Sequence, residues 1–130
     1  MAGNLAEWIE GYRVAWESGD PEAAADLFTP EATYRSNIVE PAHQGREGVR
    51  AYWESVTATQ SDVQVRMGGP FVDGARVALE FWTTMKVDGE AVTLPGCMLL
   101  DFTDEWRCWR LREYWHYLPG HHEPPEEWGQ

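Results

Sequence analysis

The segment Trp106 to Tyr117, WRCWRLREYWHY, puts two unlike sets of residues on alternate positions. One set is Trp109, Leu111, Glu113, Trp115 and Tyr117; the other is Cys108, Arg110, Arg112, Tyr114 and His116. Period-two sorting marks a strand with one apolar and one polar face, because a helix would mix the two sets. The apolar set holds a single misfit, Glu113, between Leu111 and Trp115. A carboxylate on an apolar face is costly unless it is paired or protonated. Glu113 is therefore an ion-pair member or part of a site, and the rest of the chain has to decide which.

Upstream, the periodicity changes once. Asn4 is a suitable N-cap with Glu7 three residues on, and Leu5, Trp8, Ile9, Tyr12, Ala15 and Trp16 recur at helical spacing. Gly19 stops this helix. Asp20 and Pro21 open a short second one expected to bury Ala24, Leu27 and Phe28 and to end at Thr29-Pro30. Ala32 to Ile38 reads as a strand with Ala32, Tyr34 and Ser36 on one face. Val49, Tyr52, Trp53 and Val56 mark a third helix. From Ser61 onward strands take over. Gly68-Gly69-Pro70 bends the first, and Asp73-Gly74 and Asp88-Gly89 make hairpin turns. Val77, Leu79, Phe81, Thr83, Met85 and Val87 share one face of a long strand. Val92 to Phe102 is the next, interrupted at Pro95-Gly96, and the segment above is the last. Residues 1–118 form one domain in this reading. Residues 119–130, PGHHEPPEEWGQ with Leu118 before them, form a Pro-rich acidic tail expected to be extended or frayed.

Helices first and a meander of long strands after them give an α+β fold. N-terminal helices pack on a curved, mostly antiparallel sheet to make a cone-shaped barrel, and the concave face of such a cone suits a small molecule. The 43% hydrophobic content fits a packed core, and eight Trp, five Tyr and four Phe can fill it or line an aromatic pocket. A net charge of −12 argues against nucleic acid and anionic membranes, both of which demand basic patches. No apolar run approaches a membrane span and the first residues lack a signal peptide's pattern, so a cytoplasmic protein is expected. Cys97 and Cys108 are expected to be free. A hairpin at Asp104-Glu105 would set Cys97 opposite about Arg112 and Cys108 opposite about Asp101, roughly 13 Å apart along the strand.

The ordered set YRVAWESGD (Tyr12 to Asp20), LFTPEATY (Leu27 to Tyr34), GREGVRAYW (Gly45 to Trp53) and RLREYW (Arg110 to Trp115) resembles the nuclear transport factor 2-like superfamily, and within it the SnoaL-like group. The resemblance implies a cone-shaped α+β barrel with a deep pocket, often dimeric through its sheet. It also implies one of several functions, among them those of ketosteroid isomerase, limonene epoxide hydrolase and polyketide cyclases, or a non-catalytic module. Fold alone does not choose among them. Tyr12 falls on the isomerase's tyrosine, but its base position falls on Ser36 and its acid position on Cys97 or Met98. Tyr34 falls on the epoxide hydrolase's tyrosine and Ser36 on its asparagine. Glu113 falls on the second aspartate of that enzyme, while Thr83 and Phe81 occupy its other acid and arginine positions. The cyclases' acidic general acid/base is matched loosely by Glu113.

Glu113 and Tyr12 are thus the candidate catalytic pair, with burial raising the acid's pKa. The alternative for Glu113 is an ion pair or hydrogen bond that merely orders the pocket floor. Trp16, Tyr34, Ser36, Trp53, Phe81, Thr83, Met98 and Trp115 are candidates for substrate contact; plain core packing claims several of them. His116, His121, His122 and Glu123 do not suit a metal site, since His116 faces away from Glu113 and the others sit in the tail. No cofactor and no metal are expected. The expected partners are a hydrophobic small molecule and a second copy of the chain, docked through the outer face bearing Glu80, Trp82, Thr84, Arg110, Arg112 and Tyr114. Two functions stay open: a cofactor-independent isomerase, cyclase or hydrolase working by general acid/base catalysis, and a non-catalytic binding or dimeric interaction module.

Overall fold

The computed structural model describes residues 3–130. Helix α1 spans Leu5–Ser18, with the Asn4 side chain accepting from the Glu7 amide and Gly19 closing it at φ +62°. That left-handed conformation favours glycine. Helix α2 is Pro21–Ala25, capped by Asp20 onto the Ala23 amide, and α3 is Gly45–Thr57. The strands are β1 Phe28–Arg35, β2 His43–Gln44, β3 Gln60–Met67, β4 Phe71–Asp73, β5 Arg76–Val87, β6 Glu90–Phe102, β7 Cys108–Trp115 and β8 Leu118–Pro119.

The strand order is β2-β1-β7-β6-β5-β3, with β4 on β5 and β8 on β6. All pairings are antiparallel except β1 with β7, which run parallel. The sheet curves without closing on itself, and the helices cover its concave face. This is the expected α+β cone. Its core joins Trp8, Tyr12 and Trp16 of α1 to Phe28 and Tyr34 of β1, Trp53 of α3, and Leu79, Phe81, Met98, Leu100 and Leu111 of the long strands. The Trp8 indole donates to the Leu27 carbonyl at 2.9 Å, fixing the helix against the start of β1.

Three local readings change. Phe28 is buried as expected, but it opens β1 rather than closing α2, and Pro30 lies inside the strand. Pro tolerates strand geometry where its missing N–H is not required. Strand β6 also runs unbroken through Pro95 and Gly96, which pair with Trp82 and Phe81. Gly96 is required there: a Cβ would meet the Phe81 ring, and would lie 2.8 Å from the Tyr114 carbonyl oxygen and 2.9 Å from the Trp115 Cβ. Finally, Asp101 pairs with Arg110 but Phe102 with Cys108, so Trp109 is an extra residue in β7. This bulge exchanges the faces of the strand's first two residues. Cys108 is fully buried and Trp109 is 43% exposed, against the strict alternation. The thiols are free, with Cys97 opposite Tyr114 rather than Arg112 and Cys108 opposite Phe102 rather than Asp101.

The tail is docked, not frayed. Leu118 and Pro119 pair with β6. The Thr93 hydroxyl donates to the Gly120 carbonyl, and the Trp82 indole to that of His122. Trp128 packs edge-on to Trp82, with Arg66 over its ring. Part of the outer sheet face expected to dock a second copy, at Trp82, is therefore covered by the chain's own end.

Candidate functional site

Three tyrosines gather around Glu113 from separate elements. Helical spacing on α1 turns Tyr12 inward with Trp8 and Trp16. Alternation on β1 turns Tyr34 inward. Regular pairing of β7 with β6, Leu111 with Leu100 and Glu113 with Met98, turns Leu111 and Glu113 toward the interior. The Tyr12 hydroxyl lies 3.3 Å from Glu113 Oε2 and the Tyr34 hydroxyl 3.3 Å from Oε1. The two hydroxyls are 2.9 Å apart. Tyr52 of α3 packs against Tyr34 with ring centres 5.3 Å apart.

The triangle has a proton requirement. It contains three short O···O contacts, but two phenols supply only two protons. An ionised Glu113 leaves one contact without a hydrogen. A protonated Glu113 fills all three in one circuit: carboxyl to Tyr12, Tyr12 to Tyr34, Tyr34 to the other carboxyl oxygen. The electrostatics agree. Burial pushes the Glu113 carboxyl up to about 7, against which the Tyr12 and Tyr34 hydrogen bonds pull it down. Burial and then the Glu113 charge push both phenols well above their usual range. Burial and Glu113 likewise raise Tyr52, opposed by a hydrogen bond from Ser36. Among the described residues, no Lys, Arg or His lines this site.

The triangle borders a cavity of about 290 Å³ lined also by Trp16, Trp53, Trp115, Tyr117, Met85, Val87, Leu94 and Gln60. That is near the lower end for small-molecule sites. Of the expected residues, the structure brings Glu113, Tyr12, Trp16, Tyr34, Trp53 and Trp115 to it. Four lie elsewhere. Phe81 and Met98 are fully buried in the core, and Thr83 is fully buried with its hydroxyl unpartnered. Ser36 lines a second, outer groove of about 640 Å³ that meets the cavity at Glu113 and Trp115. Phe81, Thr83 and Met98 occupy the inner face but are fully buried. Met85, Val87 and Leu94 of the same two strands line the cavity instead.

Tyr52 is visible in the sequence only as a member of the α3 apolar stripe; its position beside Trp53 is the available signal. Gln60 carries no such signal, and it accepts from the Trp16 indole at 3.0 Å. The Trp115 indole is likewise tied to the Ser36 carbonyl at 2.7 Å. The Trp53 indole N–H is buried without a partner. His43 is half-buried and stacks on Tyr52 with ring centres 4.5 Å apart. His121 and His122 lie with a ring nitrogen 3.2 Å and 2.8 Å from the Met85 and Pro119 carbonyls. Among the described residues, no three His, Cys, Asp or Glu side chains converge as a metal would need. Burial raises both thiols, which removes the thiolate character a nucleophile needs.

Solved structures share this fold. A hypothetical protein with a ketosteroid isomerase-like fold from Catenulispora acidiphila, in complex with trimethylamine, superposes with a TM-score of 0.76 at 21% identity, over 85% of this chain and 86% of the other. SalBIII, an epoxide hydrolase/cyclase-like enzyme of pyran ring formation in the polyether salinomycin, gives 0.74 at 22% identity, over 85% and 89%. An LEH-like epoxide hydrolase from Mycobacterium tuberculosis gives 0.69 at 16% identity, over 84% and 80%. At these identities the likeness is one of fold. No curated protein matches the sequence. The SnoaL-like domain family model does, over residues 9–110. That match spans most of the chain and both the helical and strand layers, and the chain belongs to the SnoaL-like domain family.

Proposed function

We propose that this protein is a cofactor-independent enzyme that moves protons on a small hydrophobic molecule, with Glu113 as general acid/base and Tyr12 and Tyr34 as hydrogen-bond donors to a substrate oxygen. One observation carries the reading: a buried carboxyl inside a hydroxyl triangle, at the wall of a cavity that no Lys, Arg or His lines among the described residues. Titration near neutrality suits a group that must both give and take a proton. No second acid lines the cavity among the described residues, so the same carboxyl would do both. That favours isomerisation or ring closure, in which the proton returned equals the proton given. The epoxide hydrolase and cyclase-like neighbours lend support as fold relatives whose chemistry occurs at an oxygen.

The test is turnover of neutral epoxides and enolisable ketones of about ten non-hydrogen atoms, 2-tetralone among them, followed by deuterium exchange and product analysis. Glu113→Gln should lower kcat by about 10²–10⁴-fold while the ligand still binds. Turnover untouched by that substitution would remove Glu113 from the chemistry. Binding without turnover across the panel supports the second reading, a non-catalytic binder, which the same cavity also allows.

Two further parts of the reading have support of a different kind. Tyr114 and Ile38 stay exposed beside the outer groove, a composition suited to pairing with a second copy. A single monomeric mass by light scattering at micromolar concentration would exclude the homodimer. Two unpaired cysteines fit a reducing compartment such as the cytoplasm, and the net charge of −12 disfavours nucleic acid.

A further inference from the structure

We propose that the ligand of this cavity is a small organic cation, an alkylammonium group seated among aromatic rings with Glu113 as its counter-charge. This rests on the cavity being a small-molecule site, and it adds the ligand's charge and class. Seven of the lining residues carry aromatic rings, one is a carboxylic acid, and among the described residues none is basic. A cavity for an anion would show the reverse. A bound cation supplies the counter-charge that the buried Glu113 carboxyl otherwise lacks.

The rings are arranged as walls. Tyr12 stands at 87° to Trp16 and at 89° to Trp53, with centroids 6.2 Å and 5.3 Å away. The indole N–H groups of Trp16 and Trp115 are tied to Gln60 and to the Ser36 carbonyl. What those two rings have left to offer is their π surface, whose electrostatics attract a cation. Core packing does not account for the whole set, because Trp115 is 40% and Tyr117 53% exposed. At about 290 Å³ the space equals roughly ten waters, enough for a trimethylammonium group and a short chain. The net charge of −12 favours the approach of cations.

The proton on Glu113 makes the binding measurable. The groups facing Glu113 are Tyr12 from α1, Tyr34 from β1 and Tyr52 from α3, with apolar Met98 opposite it on β6. His43 packs against Tyr34 and stacks on Tyr52, and His116 lines the outer groove that Glu113 also borders. A neutral amine that enters takes the proton from the Glu113 carboxyl to its nitrogen, leaving an ammonium and a carboxylate with no other reactant. A quaternary ammonium has no site for that proton, which must leave for solvent as the cation binds. With Glu113 titrating at about 7, such a cation binds about tenfold more weakly at pH 6 than at pH 8.

The experiment is calorimetric titration with choline and with its uncharged carbon isostere, 3,3-dimethylbutan-1-ol, at pH 6 and pH 8. Repeating it in buffers of different ionisation heat counts protons released. The expected result is about tenfold tighter binding of choline at pH 8, release of close to one proton at pH 6, and loss of the preference in Glu113→Gln. Tyr117→Leu, at an exposed rim position, should weaken choline severalfold and leave the alcohol unchanged, which covers the case of a Glu113→Gln protein that fails to fold. Equal or tighter binding of the alcohol, in both wild type and Glu113→Gln, overturns the cation and leaves the cavity reading intact. Binding of 2-tetralone with no binding of choline overturns it equally. Failure of all three ligands removes the cavity reading along with it.

Discussion

Two buried carboxyl groups on neighbouring strands differ in what surrounds them. Asp101 is 6% exposed and Glu113 7%. Asp101, on β6, receives the Arg110 guanidinium at 2.8 Å and lies 3.8 Å from that of Arg76. Among the described residues, the hydrogen-bond partners of Glu113, on β7, are the phenols of Tyr12 and Tyr34. A charge buried with a cation is an ordinary structural element. A carboxyl buried without one is held in a site that favours its neutral form. Burial alone therefore does not mark a functional acid; the partner does. The difference is open to four substitutions.

The largest effect is expected from Glu113→Gln. A glutamine amide donates to Tyr12 and accepts from Tyr34, reproducing the circuit of the neutral acid. The folded carboxyl titrates at about 7, above its ordinary value of 4.5. Its native pKa is raised, so its favourable contribution is complete below about pH 4.5 and is lost as pH rises through 7. Wild type should thus lose up to about 3 kcal/mol relative to Glu113→Gln between pH 4.5 and pH 8. Urea denaturation of both proteins across that range measures it. A parallel pair of curves would show that Glu113 is as well compensated as Asp101.

Arg110→Met tests the other member. It leaves Asp101 buried with only the more distant Arg76, at an expected cost of about 2 kcal/mol. The sign is opposite to that of the Glu113 change at pH 8, since here a compensating charge is removed instead of an uncompensated one. An Arg110→Met protein as stable as wild type would mean the pair contributes nothing to the fold.

Much of this could be read from the chain. Strict alternation placed Glu113 on an apolar face, and helical spacing turned Tyr12 toward the same interior. Both are period arguments, and both hold wherever an element is regular. The failures are of two physical kinds. At Trp109 the ladder gains a residue, and no local propensity announces a bulge whose cause is pairing with a distant strand. At Phe81, Thr83 and Met98 the face was right, but the side chains are fully buried in the core. Which inward residues border a cavity is a tertiary fact that periodicity does not carry. Tyr52 fell between the two, visible as an apolar-stripe residue and invisible as a neighbour of the acid. The triangle itself joins residues 22, 79 and 101 positions apart, a closure that only the folded topology makes.

Tyr12→Phe gives a smaller change. It removes one proton and two contacts from the triangle, one of them a hydrogen bond that holds the carboxyl down. Stability should fall by about 1 kcal/mol, and the Glu113 titration should move upward. A carbon-13 carboxyl titration by NMR reads the midpoint directly. An unchanged midpoint would separate Tyr12 from the acid despite their proximity.

Trp109→Ser should have the least effect, and its smallness is informative. Had the alternation of β7 run without interruption, Trp109 would share the inner face with Leu111 and Glu113, and truncating a buried tryptophan costs about 3–5 kcal/mol. The bulge instead leaves it 43% exposed, with the Arg110 guanidinium 5.2 Å from its ring centre. A cation–π contact at such a site contributes about 0.5 kcal/mol. Thermal unfolding of Trp109→Ser should therefore fall close to wild type. A large loss would place Trp109 inside and return β7 to simple alternation. Cys108 would then turn outward, while Leu111 and Glu113, paired regularly with Leu100 and Met98 of β6, would keep their facing toward Tyr12 and Tyr34.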